Sequence, residues 1–429
     1  MAMLVTVFLV LLMLGMPLAF VMGFTGVLHS LFMSADARLF MGMIPINIFD
    51  GLDSWVLMAI PLFLIAGEVV NKAGLAERLS DFTNCLVGRF KGGLAHVNVF
   101  SSLLFAGITG VAVADIAALG TVFIPAMEKE GYDRPFSAAV TAASSLQGPI
   151  IPPSIIIVFY AAAMELSVAG LFAAAIIPGI LFGLTDATIV HILAVKRNYA
   201  SCNIEVSWRN FLASSKDAAL AILFPTIIVG GILCGLFTPT EAASVAVLYA
   251  LFLGFVIYRS LKYADLVVVL RKAVRTSAKL FMLIAGISVL RYMFALERVP
   301  SLVEKILLGA STELYVIIPL LIAFLLFIGM WLTGSAAIIL FAPIISPVVT
   351  GMGMHPFQWG IVMILSLVLG LITPPVGLAL FAVAEVAKVS IKDILKSLWP
   401  FLLLDLGVIT LVATVPAVTL YLPGLFGLL

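Results

Sequence analysis

Two short elements of this 429-residue chain have residue types that can do chemistry: Gly148-Pro149-Ile150-Ile151-Pro152-Pro153 and Gly370-Leu371-Ile372-Thr373-Pro374-Pro375. A proline inside a helix lacks the N–H that would bond the carbonyl four residues back. Pro149, Pro152 and Pro153 therefore release the carbonyls of Ser145, Gly148 and Pro149, and Pro374 and Pro375 release those of Gly370 and Leu371. Both elements sit in apolar surroundings, where an unpaired carbonyl costs several kcal/mol. Clustered carbonyl oxygens suit a hard cation, with sodium the obvious candidate, and Thr109, Ser145 and Thr373 can add hydroxyls. Asp115 either attracts the same ion and holds the nearby turn, or caps a helix and complements its dipole. A Pro-Pro pair can also merely kink a helix whose neighbours satisfy the carbonyls. Two such pairs at matched positions favour ion binding over that plainer reading.

The elements that hold these residues are membrane helices. Of all residues 63% are apolar and only 10% charged, against about 25% charged in a soluble domain, so a water-facing surface cannot be covered. The net charge of +1 excludes the basic face that a nucleic-acid partner needs. Three scattered cysteines, Cys85, Cys202 and Cys234, form neither a disulfide framework nor a zinc spacing. Runs long enough to span a bilayer cover residues 2–23, 168–195, 218–237, 242–258, 314–330 and 398–420. Shorter runs, cut by Gly and Pro, cover 56–70, 97–107, 116–127, 137–147, 335–349 and 358–369.

Two basic stretches, residues 196–217 and 259–279, set the topology. Between them the one charge is Glu241, beside Thr238-Pro239-Thr240. Two spans with a short outer turn thus return the chain to one side, which the positive-inside rule makes the cytoplasm.

Sliding the chain by 222 residues superposes Gly107 on Gly329, Pro125 on Pro347, Gly131 on Gly353, Gly148 on Gly370, Pro152 on Pro374 and Pro153 on Pro375. Composition alone gives about 0.4 such coincidences in that window. Two repeats, residues 59–200 and 278–420, follow an N-terminal scaffold of residues 1–58. Residues 201–277 form cytoplasmic loops and a two-span linker between them, and residues 421–429 are a tail. In each repeat two short apolar segments meet at a Gly-containing break, Gly107-Ile108-Thr109-Gly110 and Gly329-Met330-Trp331-Leu332-Thr333-Gly334. Eleven to seventeen residues per arm is short for a full span, so each pair (97–127 and 314–349) reads as a re-entrant hairpin, followed by a broken helix (137–164 and 358–387). Arg89, Lys91, Lys129 and Arg134 flank the first pair, while Glu313 and His355 flank the second, so the repeats are inverted. The predicted fold is an all-α polytopic membrane protein of elevator-type ion-transporter architecture. Paired broken helices in inverted repeats point to a secondary transporter, with half-helix N-termini facing an anionic substrate.

At these residues the sequence resembles the large membrane subunit of tripartite ATP-independent periplasmic (TRAP) transporters, the DctM-like family, over essentially its whole length. The matching stretches include Ala59-Ile60-Pro61-Leu62-Phe63-Leu64-Ile65-Ala66-Gly67-Glu68, Gly92-Gly93-Leu94-Ala95-His96-Val97-Asn98-Val99, Gly131-Tyr132-Asp133-Arg134 and Thr373-Pro374-Pro375-Val376-Gly377. The resemblance implies a multi-pass protein of the bacterial inner membrane. It would be a sodium-coupled importer of a carboxylate-bearing solute, moving as an elevator without an organic cofactor. Its implied partners are a small four-helix membrane subunit, a periplasmic substrate-binding protein and the lipid bilayer.

Two or more sodium ions are expected. The resemblance places one near Thr109, Gly110, Gly148 and Pro149, with Asp115 and Ser145 beside it. It places another near Gly329, Thr333, Gly334, Gly370, Thr373 and Pro374. Substrate contacts are expected from Gln147, Pro152, Ser154, Ser366 and Gly377. The chain departs from the family where Thr109-Gly110-Val111 replaces Ser-Gly-Ser and where Thr333 replaces a common carboxylate. Ser366 and Ala379 also stand where an amide residue and Asn are frequent. These changes bear on the substrate and ligand list, not on the fold.

A stand-alone sodium-coupled carboxylate carrier of the same architecture is the alternative function. An intramembrane enzyme is disfavoured, since HExxH and Walker A motifs are absent and the intramembrane carboxylates do not pair at catalytic spacing. A channel lacks a filter motif and an arginine ladder. Of the other intramembrane acids, Asp405 reads as snorkelling or paired, and Asp186 with His191 as an internal pair or a partner-facing contact rather than a proton relay. Arg291 and Arg298 read as interfacial, and Glu165 as a loop residue.

Overall fold

In hydrocarbon a chain can satisfy its backbone internally only as helices or as a closed barrel, and apolar runs punctuated by Gly and Pro give helices. The computed structural model describes residues 2–33, 37–199 and 208–429. Cys202 and the centre of the first basic stretch lie outside the described residues. Within them every regular element is helical.

The N-terminal scaffold comprises α1 (Ala2–Met13), α2 (Leu18–Met33) and α3 (Ala37–Leu52). The span predicted over 2–23 is thus two helices. Gly15 takes a left-handed φ of +77°, and Pro17 has no N–H with which to continue the turn. The first repeat runs α4 (Ala59–Lys72), α5 (Leu75–Val87), the hairpin α6 (Gly93–Thr109) and α7 (Ala112–Lys129), the broken helix α8 (Arg134–Ser144), α9 (Gln147–Ile150) and α10 (Ile155–Met164), and α11 (Val168–Lys196). The linker holds α12 (Trp208–Leu233) and α13 (Pro239–Phe252). The second repeat runs α14 (Tyr263–Leu296), α15 (Val299–Ala310), the hairpin α16 (Leu314–Trp331) and α17 (Gly334–Gly351), the broken helix α18 (Pro356–Gly370) and α19 (Leu378–Ala387), and α20 (Ile391–Thr414), with α21 (Ala417–Leu425) closing the chain.

Among the described residues eight helices are long and apolar enough to cross a membrane, or nine if the bent first broken helix counts as one span. The hairpin arms have 17 or 18 residues, roughly 26 Å each. They are longer than their apolar runs because small and polar flanking residues continue the helix, so arm length alone does not make the hairpins re-entrant. The second basic stretch is no loop either: from Tyr263 onward it is the first half of a 34-residue helix.

Packing follows the repeat. The first arm of each hairpin lies on the near half of its own broken helix, α6 on α8 and α9, and α16 on α18. The second arm lies on the far half of the other repeat's broken helix, α7 on α19 and α17 on α10. The final spans also exchange partners, α20 packing on α8 and α11 on α18. This reciprocal pairing is what a two-fold relation between the repeats produces, and it gathers both hairpin tips and both breaks at the centre of the fold.

The outer turn of the linker is closed by a capping box. The Thr238 hydroxyl accepts from the Glu241 N–H at 3.3 Å, and the Glu241 carboxylate accepts from the Thr238 N–H at 2.8 Å. Thr238→Ala should cost about 1 kcal/mol, seen as a lower melting temperature of the purified protein with transport retained.

Candidate functional site

Tip one turns between α6 and α7 at Gly110, whose φ of +65° suits glycine. The turn brings the Thr109 hydroxyl to Asp115, where it donates to Oδ1. Asp115 is 1% exposed. It does not cap its helix: Val111 holds the N-cap position, with no side-chain cap bond. Among the described residues the second carboxylate oxygen, Oδ2, has no donor, and it lies against Gly148, where a Cβ would strike it. A glycine is therefore what lets the broken helix approach this carboxylate.

Four of the five released carbonyls regain a donor by local refolding of the chain. Ser145 accepts from the Gly148 N–H at 3.2 Å and Gly370 from the Thr373 N–H at 3.1 Å. Leu371 accepts from the N–H groups of Ala379 at 3.0 Å and Leu380 at 3.3 Å, and Pro149 accepts from the Ser154 hydroxyl. The Gly148 carbonyl has no donor among the described residues. A carbonyl carries two lone pairs, so Ser145, Pro149 and Gly370 each keep one for an ion, while Leu371 uses both on its two donors. The Pro152–Pro153 and Pro374–Pro375 peptide bonds are both cis.

At the second tip α16 and α18 cross glycine on glycine. A Cβ on Gly370 would lie 2.7 Å from Gly329 Cα and 2.7 Å from the Leu326 carbonyl oxygen. The Gly377 N–H, in the second break, donates to the Met330 carbonyl at 3.2 Å, stitching tip to break. Thr333 is the N-cap residue of α17 and Gly334 its first residue. The Thr373 hydroxyl donates to the Leu369 carbonyl at 2.8 Å, and Pro374 sits within the break.

Between the two tips lies a cavity of about 330 Å³, whose wall includes Gly110, Pro149, Thr333, Gly334, Thr276 and Lys279. A larger crevice of about 630 Å³ beside α1 and α16 is lined wholly by hydrocarbon side chains and offers an anion nothing to bind.

The expected substrate residues stand outside the lining of the central cavity. The Gln147 amide donates to Asp186 at 3.1 Å, Ser366 is buried with its hydroxyl on the Val362 carbonyl at 2.7 Å, and Ser154 caps α10. The Pro152 carbonyl backs onto Gly107. Sequence reasoning missed Thr276 and Lys279. The available signal was that only eleven uncharged residues separate Lys279 from Arg291.

Two other intramembrane acids have their partners set by the tertiary structure. Residues five apart on a helix diverge by about 140°, so Asp186 and His191 part: Asp186 takes Gln147, and His191 lies 5.8 Å from the His96 ring. Asp405 does not snorkel; it is fully buried and accepts from the Thr185 hydroxyl at 3.2 Å.

Comparison with known proteins follows this geometry. Residues 5–418 match the family described as "Tripartite ATP-independent periplasmic transporter, DctM component". The chain is 36% identical over 412 residues to the sialic acid TRAP transporter large permease protein SiaM of Vibrio cholerae, covering 96% of each chain. It is 35% identical over 409 residues to the C4-dicarboxylate TRAP transporter large permease protein DctM of Pseudomonas aeruginosa, covering 95% of this chain and 94% of that one. The crystal structure of the Alcanivorax borkumensis YdaH transporter superposes with a TM-score of 0.63 over 89% of both chains at 15% identity, a likeness of fold.

Proposed function

The chain belongs to the DctM family of TRAP transporters, a family of large permease components and not of enzymes, and from that premise we propose that it imports a carboxylate-bearing solute, a sialic-acid-type sugar acid or a C4-dicarboxylate, driven by sodium. A periplasmic binding protein delivers the solute, a small four-helix subunit completes the membrane complex in the bacterial inner membrane, and the hairpins and broken helices move together as an elevator. The observation that carries the sodium reading is Asp115: a fully buried carboxylate with one oxygen lacking any donor among the described residues, set against Gly148, whose carbonyl also lacks one there. One negative charge beside carbonyl and hydroxyl oxygens, in a medium that excludes water, suits a monovalent hard cation. The second tip and break supply the matching cation position, with Thr333 and Thr373 as hydroxyl donors of oxygen.

The test is uptake of labelled sialic acid and succinate into proteoliposomes holding this chain and its small subunit, with the sodium gradient and the binding protein varied separately. Uptake is expected to require both. Uptake with sodium alone would overturn the tripartite reading in favour of a stand-alone carrier, and uptake indifferent to sodium would overturn the coupling. Thr109→Ala removes one hydroxyl ligand and the hydrogen bond that orients Asp115. It should lower uptake about tenfold, the equivalent of about 1.4 kcal/mol, with partial recovery at high sodium.

A further inference from the structure

Lys279 is the last of the basic residues on the first half of α14. It is followed by eleven uncharged residues before Arg291, about 16 Å of helix against a hydrocarbon core of about 30 Å. Of the other charges on α14, Lys272 pairs with Glu68 at 2.8 Å, and Asp265 at the helix start pairs with Lys72 at 3.3 Å. Among the described residues Lys279 has no carboxylate partner.

It lines the central cavity, where among the described residues it is the one charged group in the wall. Across that cavity stand the first residues of α7 and α17: Val111 and Ala112 from tip one, Thr333, Gly334 and Ser335 from tip two. Each begins an 18-residue helix with free N–H groups and the positive end of its dipole. Three positive features, the ammonium and two helix N-termini, thus converge on one cavity, with no acidic side chain in its wall among the described residues.

We propose that Lys279 is the counter-charge for the substrate carboxylate, holding it on α14 while the two hairpin tips close on the rest of the solute. The assignment rests on the proposed carboxylate import and adds the residue that selects an acid over its neutral analogue. An ammonium at this place must be present as charge; its exact shape matters less.

The experiment uses the complete permease with its small subunit in proteoliposomes, and loaded binding protein outside. Lys279→Gln should lower initial uptake of the acid at least tenfold, and Lys279→Arg should stay within threefold of wild type. With Cys85, Cys202 and Cys234 replaced by serine, Lys279→Cys should be as poor as the glutamine variant. Aminoethyl methanethiosulfonate, which rebuilds a cation there, should restore uptake, and neutral methyl methanethiosulfonate should not. Uptake by Lys279→Gln within twofold of wild type, or equal rescue by the neutral reagent, would overturn the assignment. A wild-type protein that imports neither sialic acid nor succinate would instead overturn the function on which it rests.

Discussion

Asp115→Asn is expected to reduce sodium-driven uptake at least a hundredfold while leaving the folded complex intact. The amide keeps the size of the side chain and can still accept from Thr109, whose hydroxyl donates to Asp115 Oδ1. What it removes is the full negative charge at an oxygen that no donor among the described residues meets. At an effective dielectric constant near 20, two unit charges 4 Å apart attract by about 4 kcal/mol. Losing most of that from an ion site makes a hundredfold effect, about 2.7 kcal/mol, a moderate demand. The measurement is the sodium dependence of uptake, together with the melting temperature of the purified complex at increasing sodium. Sodium should raise the wild-type melting temperature by mass action and raise that of Asp115→Asn less, since only the second cation position remains. An Asn variant that transports normally with an unchanged sodium midpoint would remove Asp115 from the ion site.

Gly370→Ala should both destabilise the protein and stop transport. The added methyl would lie 2.7 Å from backbone atoms of Gly329 and Leu326, and backbone of a packed helix cannot step aside as a flexible side chain can. Overpacking of this kind costs about 1–3 kcal/mol, and the shift falls on the second hairpin tip, next to Thr333. The control is Gly407→Ala on α20, where nothing lies within 4 Å of the added methyl. There the gain in helix propensity, up to about 1 kcal/mol, should leave the melting temperature level or slightly higher. Equal behaviour of the two variants would mean that α16 and α18 do not cross glycine on glycine.

Much of the fold was legible because membrane chemistry restricts the choices. Apolar runs must be helical, basic stretches orient them, and the coincidence of Gly107 with Gly329 and of Pro152-Pro153 with Pro374-Pro375 marks a duplicated unit. The same patterns place Thr109, Gly110, Gly148 and Thr333 at the tips and breaks, where the structure has them. Three features were not legible. The break at Gly15-Met16-Pro17 hides inside an unbroken apolar run. The hairpin arms outlast their hydrophobic cores. The proline-released carbonyls find new donors, since a freed group pairs with whatever the three-dimensional path brings near, as Ser154 does for Pro149.

By itself, then, the sequence determined a helical membrane protein with two related halves, the identity of its broken segments, and the residues that could meet a cation there. Local rules suffice for that: helix periodicity, proline's missing N–H and the cost of bare polar groups in lipid. Only the tertiary structure decided which of these residues act together. It set Asp115 against Gly148, turned Gln147 towards Asp186 and away from the cavity, and brought Lys279 to face both tips. These are contacts between segments far apart in the chain, fixed by how the two repeats interlock, and neither spacing nor composition carries that information.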